Sequence, residues 1–501
     1  MAFEVQTRDP RLQSDNPDPT RMKQGSLVSF IPVSASLAMS PNTWIVEMPE
    51  QKTRSHPYPR RVSPYRTASL NRDAFTRDST ASAGPVPLRN HDYPVFEDIR
   101  TILSVLKASG LMPIYEQVSN YEVGPPTKTN EFYSFFVRGA VHALTIFNVY
   151  SLFTPISAQL FYSYRETDNV NQWIELLLCI LTYTLTVFVC ARNTKSMLRI
   201  MNEILQLDEE IRRQFGANLN QDFGFSVKFL VGIAACQTYI IVLKIYAVQG
   251  VITPTSYILL AFYAIQNGLT ATYIVFASAL LRIVYIRFHF INELLTRYTY
   301  GQQNKRKGGG GRRAHGNNNI NPNAAIMEHF PEDSLFIYRM HNKLLRIYKG
   351  INDCCNLILV SFLGYSFYTV TTNCYNLFVQ ITAKGMVSPN ILQWCFAWLC
   401  LHFSLLALLS RSCGLTTKEA NATSQILARV YAKCREYQNI IDKFLTKSIK
   451  QEVQFTAYGF FAIDNSTLFK IFSAVTTYLV ILIQFKQLED SKTDDSVPKQ
   501  T

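Results

Sequence analysis

Little in this 501-residue chain could carry out covalent chemistry. Its eight histidines are scattered, with no H-E-x-x-H pair to hold a metal. Neither a G-x-S-x-G nucleophile elbow nor a glycine-rich dinucleotide fingerprint occurs. The run Gly308–Gly311 follows Lys305-Arg306-Lys307, the reverse of a phosphate-binding loop, with no strand in sight. No catalytic constellation, cofactor or metal is expected. The chemistry left is that of contact and passage, and it concentrates in the last apolar stretch, 465–485. There Ser466, Lys470, Ser473, Thr477, Ile481 and Gln484 follow one another at steps of 4, 3, 4, 4 and 3. On an α-helix that spacing makes one stripe, on a rod otherwise built mostly of Leu, Ile, Val, Phe and Ala. A membrane helix that is polar on one side turns that side away from lipid, toward protein or water. The stripe fits either a packing face bonded to neighbouring helices or the lining of a pore or cavity. Among other titratable groups in apolar segments, His142 and His402 are expected as hydrogen-bonded core residues. Glu175 is expected as a wet group near the outer mouth of its segment.

The elements that must position these groups are membrane spans. The 21 residues of 465–485 would make a helix about 31 Å long, the thickness of a bilayer's hydrocarbon core. Six more apolar segments precede it, at approximately 132–162, 173–191, 226–248, 255–286, 355–382 and 391–413. The expected fold is an all-α membrane protein with seven transmembrane helices. Several segments exceed the bilayer thickness, which implies tilt or continuation beyond it. Mean hydropathy lies near zero because apolar blocks alternate with very polar ones, an unevenness that argues against a soluble domain. All ten cysteines lie at or after Cys179 without C-x-x-C pairing, so they read as small buried residues.

The net charge of +13 would suit a nucleic-acid partner, but its placement argues otherwise, and no nucleic acid is expected. Arg282 and Arg411, at span ends, are counted with the loops they border. Then 40 of the 49 Lys and Arg fall before the first span and in every second loop after it. The positive-inside rule puts those segments, and so the N-terminus, in the cytoplasm, with the short tail 486–501 outside. Asn421 and Asn465, in Asn-x-Ser/Thr contexts, then face the cytoplasm and carry no glycan. Residues 1–95, rich in Pro, Arg, Ser and Asp, read as a disordered tail. Segment 96–110 reads as a short amphipathic helix leading into the membrane along its surface. A low-complexity cytoplasmic loop is expected at 298–325. Helical periodicity at 197–206, 335–352 and 426–441 predicts three amphipathic helices below the membrane, packed as a cytoplasmic bundle.

The last span ends Thr477-Tyr478, five hydrophobic residues, Gln484-Phe485. This resembles the signature of insect gustatory receptors. The lead-in Gly459-Phe-Phe-Ala-Ile-Asp464 with Thr467-Leu-Phe is similar to that family too, as is His341-x-x-Leu344 with Ile351-Asn352. The resemblance covers roughly 105–485. It implies a gustatory receptor acting as a ligand-gated, non-selective cation channel in the plasma membrane of a sensory neuron. Four subunits, identical or mixed with other gustatory receptors, would assemble around the last helix, passing monovalent and divalent cations. Residues 414–464 would supply cytoplasmic anchor helices, and 465–485 the pore helix. On these positions Thr477 and Ile481 line the pore, Ile481 as a constriction, and Gln484 and Phe485 form the gate. Asp464 or Asn465 caps the helix, and Lys470 faces a wide vestibule or pairs with an acid. The ligand, a small organic tastant, would bind in the outer half of 96–413. That region offers Trp173, Glu175, Tyr257, Tyr263, Asn267, Tyr368, Thr369, Thr372, Asn373, Trp394 and Trp398, aromatic faces with hydrogen-bonding neighbours. The same residues also suit anchoring at the membrane interface. In the family's sugar-sensing branch a Glu follows the Thr-Tyr pair. Here Leu479 follows, which leans toward bitter, repellent or multimodal sensing. An odorant-receptor-type channel subunit and a G-protein-coupled receptor are the alternatives. The second lacks its Asp-Arg-Tyr and Asn-Pro-x-x-Tyr motifs and would need the opposite charge pattern.

Overall fold

The computed structural model describes most residues between 96 and 495. Outside that description lie 1–95, 153–165, 217–218, 220–224, 248–253, 309–329, 383–388, 432–452, 496–501 and a few shorter stretches. The N-terminal tail and most of the low-complexity loop therefore fall outside it. A short helix α1 (Glu97–Ala108) and a small antiparallel pair β1 (Gln117–Ser119) and β2 (Glu122–Val123) come first. Seven long helices follow: α2 (Lys128–Leu152), α3 (Glu166–Phe215), α4 (Phe225–Ala247), α5 (Pro254–Gly308), α6 (Phe330–Thr382), α7 (Pro389–Tyr431) and α8 (Asn465–Asp495). A second small pair, β3 (Thr456–Ala457) and β4 (Phe461–Ala462), leads into α8. Among the described residues six helices, α3 to α8, are long and apolar enough to cross a membrane, and α2 is a further helix of 25 residues. Helices suit that setting because every interior backbone N–H and C=O is satisfied within the element.

Two of the expected amphipathic segments, 197–206 and 335–352, are continuous with their spans rather than separate helices, and of the third, 426–441, residues 432–441 lie outside the described residues. No glycine or proline stands between Ala191 and Phe215, so α3 runs through both the apolar span and the segment 197–206 without a break. The segment 335–352 is likewise the front of α6, and α7 runs on through Ile426. Helix α5 continues to Gly308, so the start of the loop expected at 298 is helical. Helix α2 is described as far as Leu152, and the rest of the span expected to Tyr162 lies outside the described residues; α8 passes Phe485 and is described as far as Asp495. Part of the core lies where α3, α5 and α6 meet, with Ile204, Ile211, Leu280, Val284, Leu344, Ile347 and Ile351 fully buried. The Asp208 carboxylate lies among them, and buried Arg287 donates to it from Nε at 2.8 Å and again from Nη2. Helix α1 corrects an expectation. Its apolar face, Ile99, Ile102 and Leu106, is fully buried against α4 and α5 rather than laid on lipid. A periodic apolar face states that something covers it, not what.

Candidate functional site

Two regions collect the residues singled out from the sequence. The first is a polar and aromatic cluster. Glu175 of α3, Tyr263 of α5 and Trp398 of α7 each lie nine residues from the start of their helix. They therefore share one depth, about 14 Å in from those ends. Chain direction puts the starts of α3, α5 and α7 on the same side as the end of α6, the outer side by the charge pattern. The Tyr263 hydroxyl donates to Glu175 Oε1 at 2.9 Å and lies 3.3 Å from the Tyr365 hydroxyl, which donates to Asn267 Oδ1 at 2.7 Å. Asn267 Nδ2 donates to the Cys179 sulfur at 3.2 Å and to the Tyr263 carbonyl at 3.0 Å. Rings close the remaining side. Trp398 meets Tyr263 edge-on at 5.8 Å and Trp394 at 6.4 Å, and it stacks on His402 at 5.5 Å. Lys244 Nζ sits 5.4 Å from the centre of the Trp394 ring, a cation–π contact.

Glu175 is only 6% exposed, which corrects the expectation of a wet group: it is a carboxylic group enclosed by aromatic rings and held by a tyrosine. His402 is a hydrogen-bonded core residue as expected, with Nδ1 3.1 Å from Ser366 Oγ. His142 is half-buried. The cluster is not fully satisfied from within. Trp398 Nε1 and His402 Nε2 in the cluster, and Asn171 Nδ2 and Asn373 Oδ1 beyond it, are buried without a hydrogen-bond partner among the described residues. An unmade buried hydrogen bond costs about 1–3 kcal/mol, so a molecule that supplied the missing partners would recover that energy.

Of the expected ligand residues, Glu175, Tyr263, Asn267, Trp394 and Trp398 are brought together. Tyr368 is apart from them and donates to Asn171 Oδ1 at 3.1 Å. Thr369, Thr372 and Asn373 are buried further along α6, Trp173 is half-buried, and the Tyr257 side chain lies outside the described residues. Sequence reasoning passed over Lys244, Tyr365, Cys179 and Ser366 as site residues. A lysine and a glutamate within apolar segments were signals in themselves, since buried charge in a membrane is expensive. Tyr365 stands three residues before Tyr368, on the same helical face.

The second region is the last helix. Asp464 caps it: its Oδ1 accepts from the Thr467 backbone N–H at 3.0 Å and from Ser466 Oγ at 2.6 Å, while Thr467 Oγ1 accepts from the Asp464 N–H at 3.1 Å. The hydrogen bond from Ser466 is the main reason the Asp464 carboxyl sits below its ordinary pKa. The turn ahead of the cap has Tyr458 at φ 52° and Gly459 at φ 79°, left-handed values that a tight hairpin needs and that glycine adopts most readily. Asn352 of α6 fixes this hairpin by accepting from the Thr456 N–H at 3.0 Å. From there, among the described residues, α8 makes its major contacts with α6 and α7. Phe367 meets Tyr478 edge-on at 5.5 Å, Phe403 stacks on Phe472 at 5.0 Å, and Lys486 Nζ donates to Thr382 Oγ1 at 3.2 Å. The stripe lies on the opposite side. Ser466, Lys470, Ser473, Thr477, Ile481 and Gln484 are all exposed, and so is Phe485. Lys470 has no acid partner among the described residues.

A family model described as 7tm chemosensory receptor matches residues 99–489. The chain is 88% identical over 465 residues to the gustatory and pheromone receptor 32a of Drosophila melanogaster, covering 92% of this chain and all of that one. It is 36% identical over 338 residues to the gustatory receptor 68a of the same species, covering 66% of this chain and 80% of that one. The solved structure of the insect olfactory receptor OR5 from Machilis hrabei in complex with eugenol shares the fold at TM-score 0.52 and 11% identity. It matches 79% of this chain and all of its own.

Proposed function

The chain belongs to the 7tm chemosensory receptor family, among its gustatory receptors, and on that premise we propose that it is a ligand-gated, non-selective cation channel of the plasma membrane. The observation that carries the reading is the open stripe of α8. Ser466, Lys470, Ser473, Thr477 and Gln484 are exposed and face away from α6 and α7, the helices that α8 packs on among the described residues. In a bilayer that face needs water or other polar groups. Copies arranged with α8 at their common axis would provide both, with Thr477 and Ile481 along the pore and Gln484 and Phe485 as its gate. Lys470, at the inner end, then stands in the wider vestibule. Four subunits, alike or mixed with other gustatory receptors, make the assembly.

The ligand is a small organic tastant received by the cluster around Glu175, Tyr263, Asn267 and Trp398. Rings offer it apolar contact, and the unpartnered nitrogens of Trp398 and His402 offer hydrogen bonds. The route to the gate is short. Tyr365 and Ser366 face the cluster, while the neighbouring Phe367 meets Tyr478. His402 stacks within the cluster, while the neighbouring Phe403 stacks on Phe472. A ligand that re-spaces α6 and α7 thus bears on α8 through two aromatic contacts. Leu479, where the sugar branch has Glu, favours bitter or multimodal sensing.

Patch-clamp recording from cells expressing the chain tests the proposal, with a panel of tastants and pheromones chosen after the name of the 88%-identical relative. Ligand-evoked cation current is expected, and Gln484→Ala or Phe485→Ala should change leak or gating. Unchanged currents in both variants would remove the gate assignment. A tag at residue 501 that stains without permeabilisation is expected from the outside C-terminus.

A further inference from the structure

A cavity of about 890 Å³ opens between α2 and α3, well away from the aromatic cluster. Its walls differ in character along the membrane normal. Ala191, where the second span ends by its hydropathy, and Phe135 form the apolar part. Lys195 and Arg199, four and eight residues further along α3, lie about 6 and 12 Å deeper on the cytoplasmic side and form the basic part. Both are exposed, and neither makes an ion pair among the described residues.

Arg138 of α2 also lines the cavity. Its guanidinium donates from Nε to the Gly110 carbonyl at 2.8 Å and from Nη2 to the Leu111 carbonyl at 3.0 Å. Those bonds aim it, and among the described residues no carboxylate pairs with it, in a residue that hydropathy places inside the first span. A half-buried cation at membrane depth is costly unless an anion meets it. Glu131 and Glu203 also line the cavity, so its ligand must bring hydrogen-bond donors as well as negative charge. Beside it, Phe132, Phe135 and Phe136 expose 71%, 75% and 67% of their surface on α2, an apolar face at the depth of acyl chains.

We propose that this cavity binds an anionic phospholipid of the cytoplasmic leaflet. Its phosphate lies among Arg138, Lys195 and Arg199, its headgroup donors face Glu131 and Glu203, and an acyl chain runs over the phenylalanines. Basic pockets between membrane helices on the cytoplasmic side suit such headgroups. The proposal rests on the membrane orientation read from the charges, not on channel activity.

The test uses the purified, delipidated full chain, resupplied with phosphatidylserine or phosphatidylcholine and read by native mass spectrometry. Saturable retention of phosphatidylserine over phosphatidylcholine is expected. The K195Q/R199Q double variant should weaken it by roughly thirtyfold, at about 1 kcal/mol per basic residue. The charge-conserving K195R/R199K variant should restore it, with melting curves that match the wild type. Arg192→Gln removes an exposed charge of the same helix outside the cavity and should leave retention nearly unchanged. Equal retention of both lipids, or equal loss in Arg192→Gln, overturns the site. Binding of soluble glycerophosphoserine as strong as that of the intact lipid overturns the lipid as its occupant.

Discussion

The aromatic cluster and the last helix are both rich in polar groups at membrane depth, and the chain treats them in opposite ways. Around Glu175 the polar groups are enclosed: Tyr263, Tyr365, Asn267 and Cys179 bond one another in sequence, and Trp398 at 1% exposure seals them. Along α8 the polar stripe is left open, and among the described side chains of the helix only Thr467, Val475 and Lys486 are buried. The first region is complete within one subunit except for a few hydrogen bonds that a small molecule could make. The second is incomplete on a larger scale, since Phe469 is 76% exposed and Phe485 61%. The difference separates two kinds of partner. A buried set of unmade hydrogen bonds suits a ligand, and an open face along a whole helix suits more protein.

The strongest way to break this comparison is to truncate one large side chain in each region. Trp398→Ala removes a ring that touches Tyr263, Trp394 and His402, and its cavity should cost about 3–5 kcal/mol in thermal unfolding. Phe469→Ala on the open face should cost a dissociated subunit no more than about 0.5 kcal/mol. A larger loss for Phe469→Ala in the assembled protein than in dissociated subunits would measure what covers that face. Equal, large losses in both states would mean that α8 packs within its own subunit after all.

A subtler variant sharpens the enclosed side. Tyr365→Phe removes the hydroxyl that donates to Asn267 Oδ1 and contacts the Tyr263 hydroxyl, leaving a buried acceptor unmet. About 1–3 kcal/mol of stability should go with it. Ligand potency should fall with it while unliganded leak stays as in the wild type. If potency is untouched, the cluster is a packing element and the ligand binds elsewhere.

What the sequence could and could not show follows the same division. The seven spans, the stripe on α8 and the cap at Asp464 were legible because each is a local pattern: an apolar length, a helical period, an aspartate ahead of a helix. The enclosure of Glu175 was not, because Tyr263 is 88 residues away and proximity across helices leaves no local signal. The burial of α1 was misread for a related reason. An amphipathic face looks the same whether lipid or protein covers it, and here α4 and α5 do. The continuity of α3, α6 and α7 past their spans could have been read from the lack of breakers, which is stronger evidence than the change from apolar to mixed composition. Nor does the period of α8 tell a packing face from an open one. That took the positions of α6 and α7.

The smallest effect is expected where the two regions' fates are decided, at the start of α8. Asp464 accepts from the Thr467 N–H and from Ser466, so Asp464→Ala should cost about 1 kcal/mol of stability at neutral pH. The dependence on pH gives this prediction a sign. The hydrogen bond from Ser466, foremost, holds the folded carboxyl below its ordinary pKa. Its contribution is therefore complete above the unfolded value of about 3.9 and is lost as pH falls through the lower folded value. The gap in unfolding temperature between wild type and Asp464→Ala should stay constant from neutral pH down to about 4 and then narrow. A gap that narrows on raising the pH instead would assign the effect to another group. The cap lies next to the hairpin that Asn352 of α6 holds, so the same variant also reports on the channel reading. If α8 moves as a unit from that capped end, fraying its first turn should alter gating far more than a change of about 1 kcal/mol on the outer face of α2. If gating and stability change in proportion at both sites, α8 is an ordinary helix of the bundle, and the contrast between the two regions is one of burial alone.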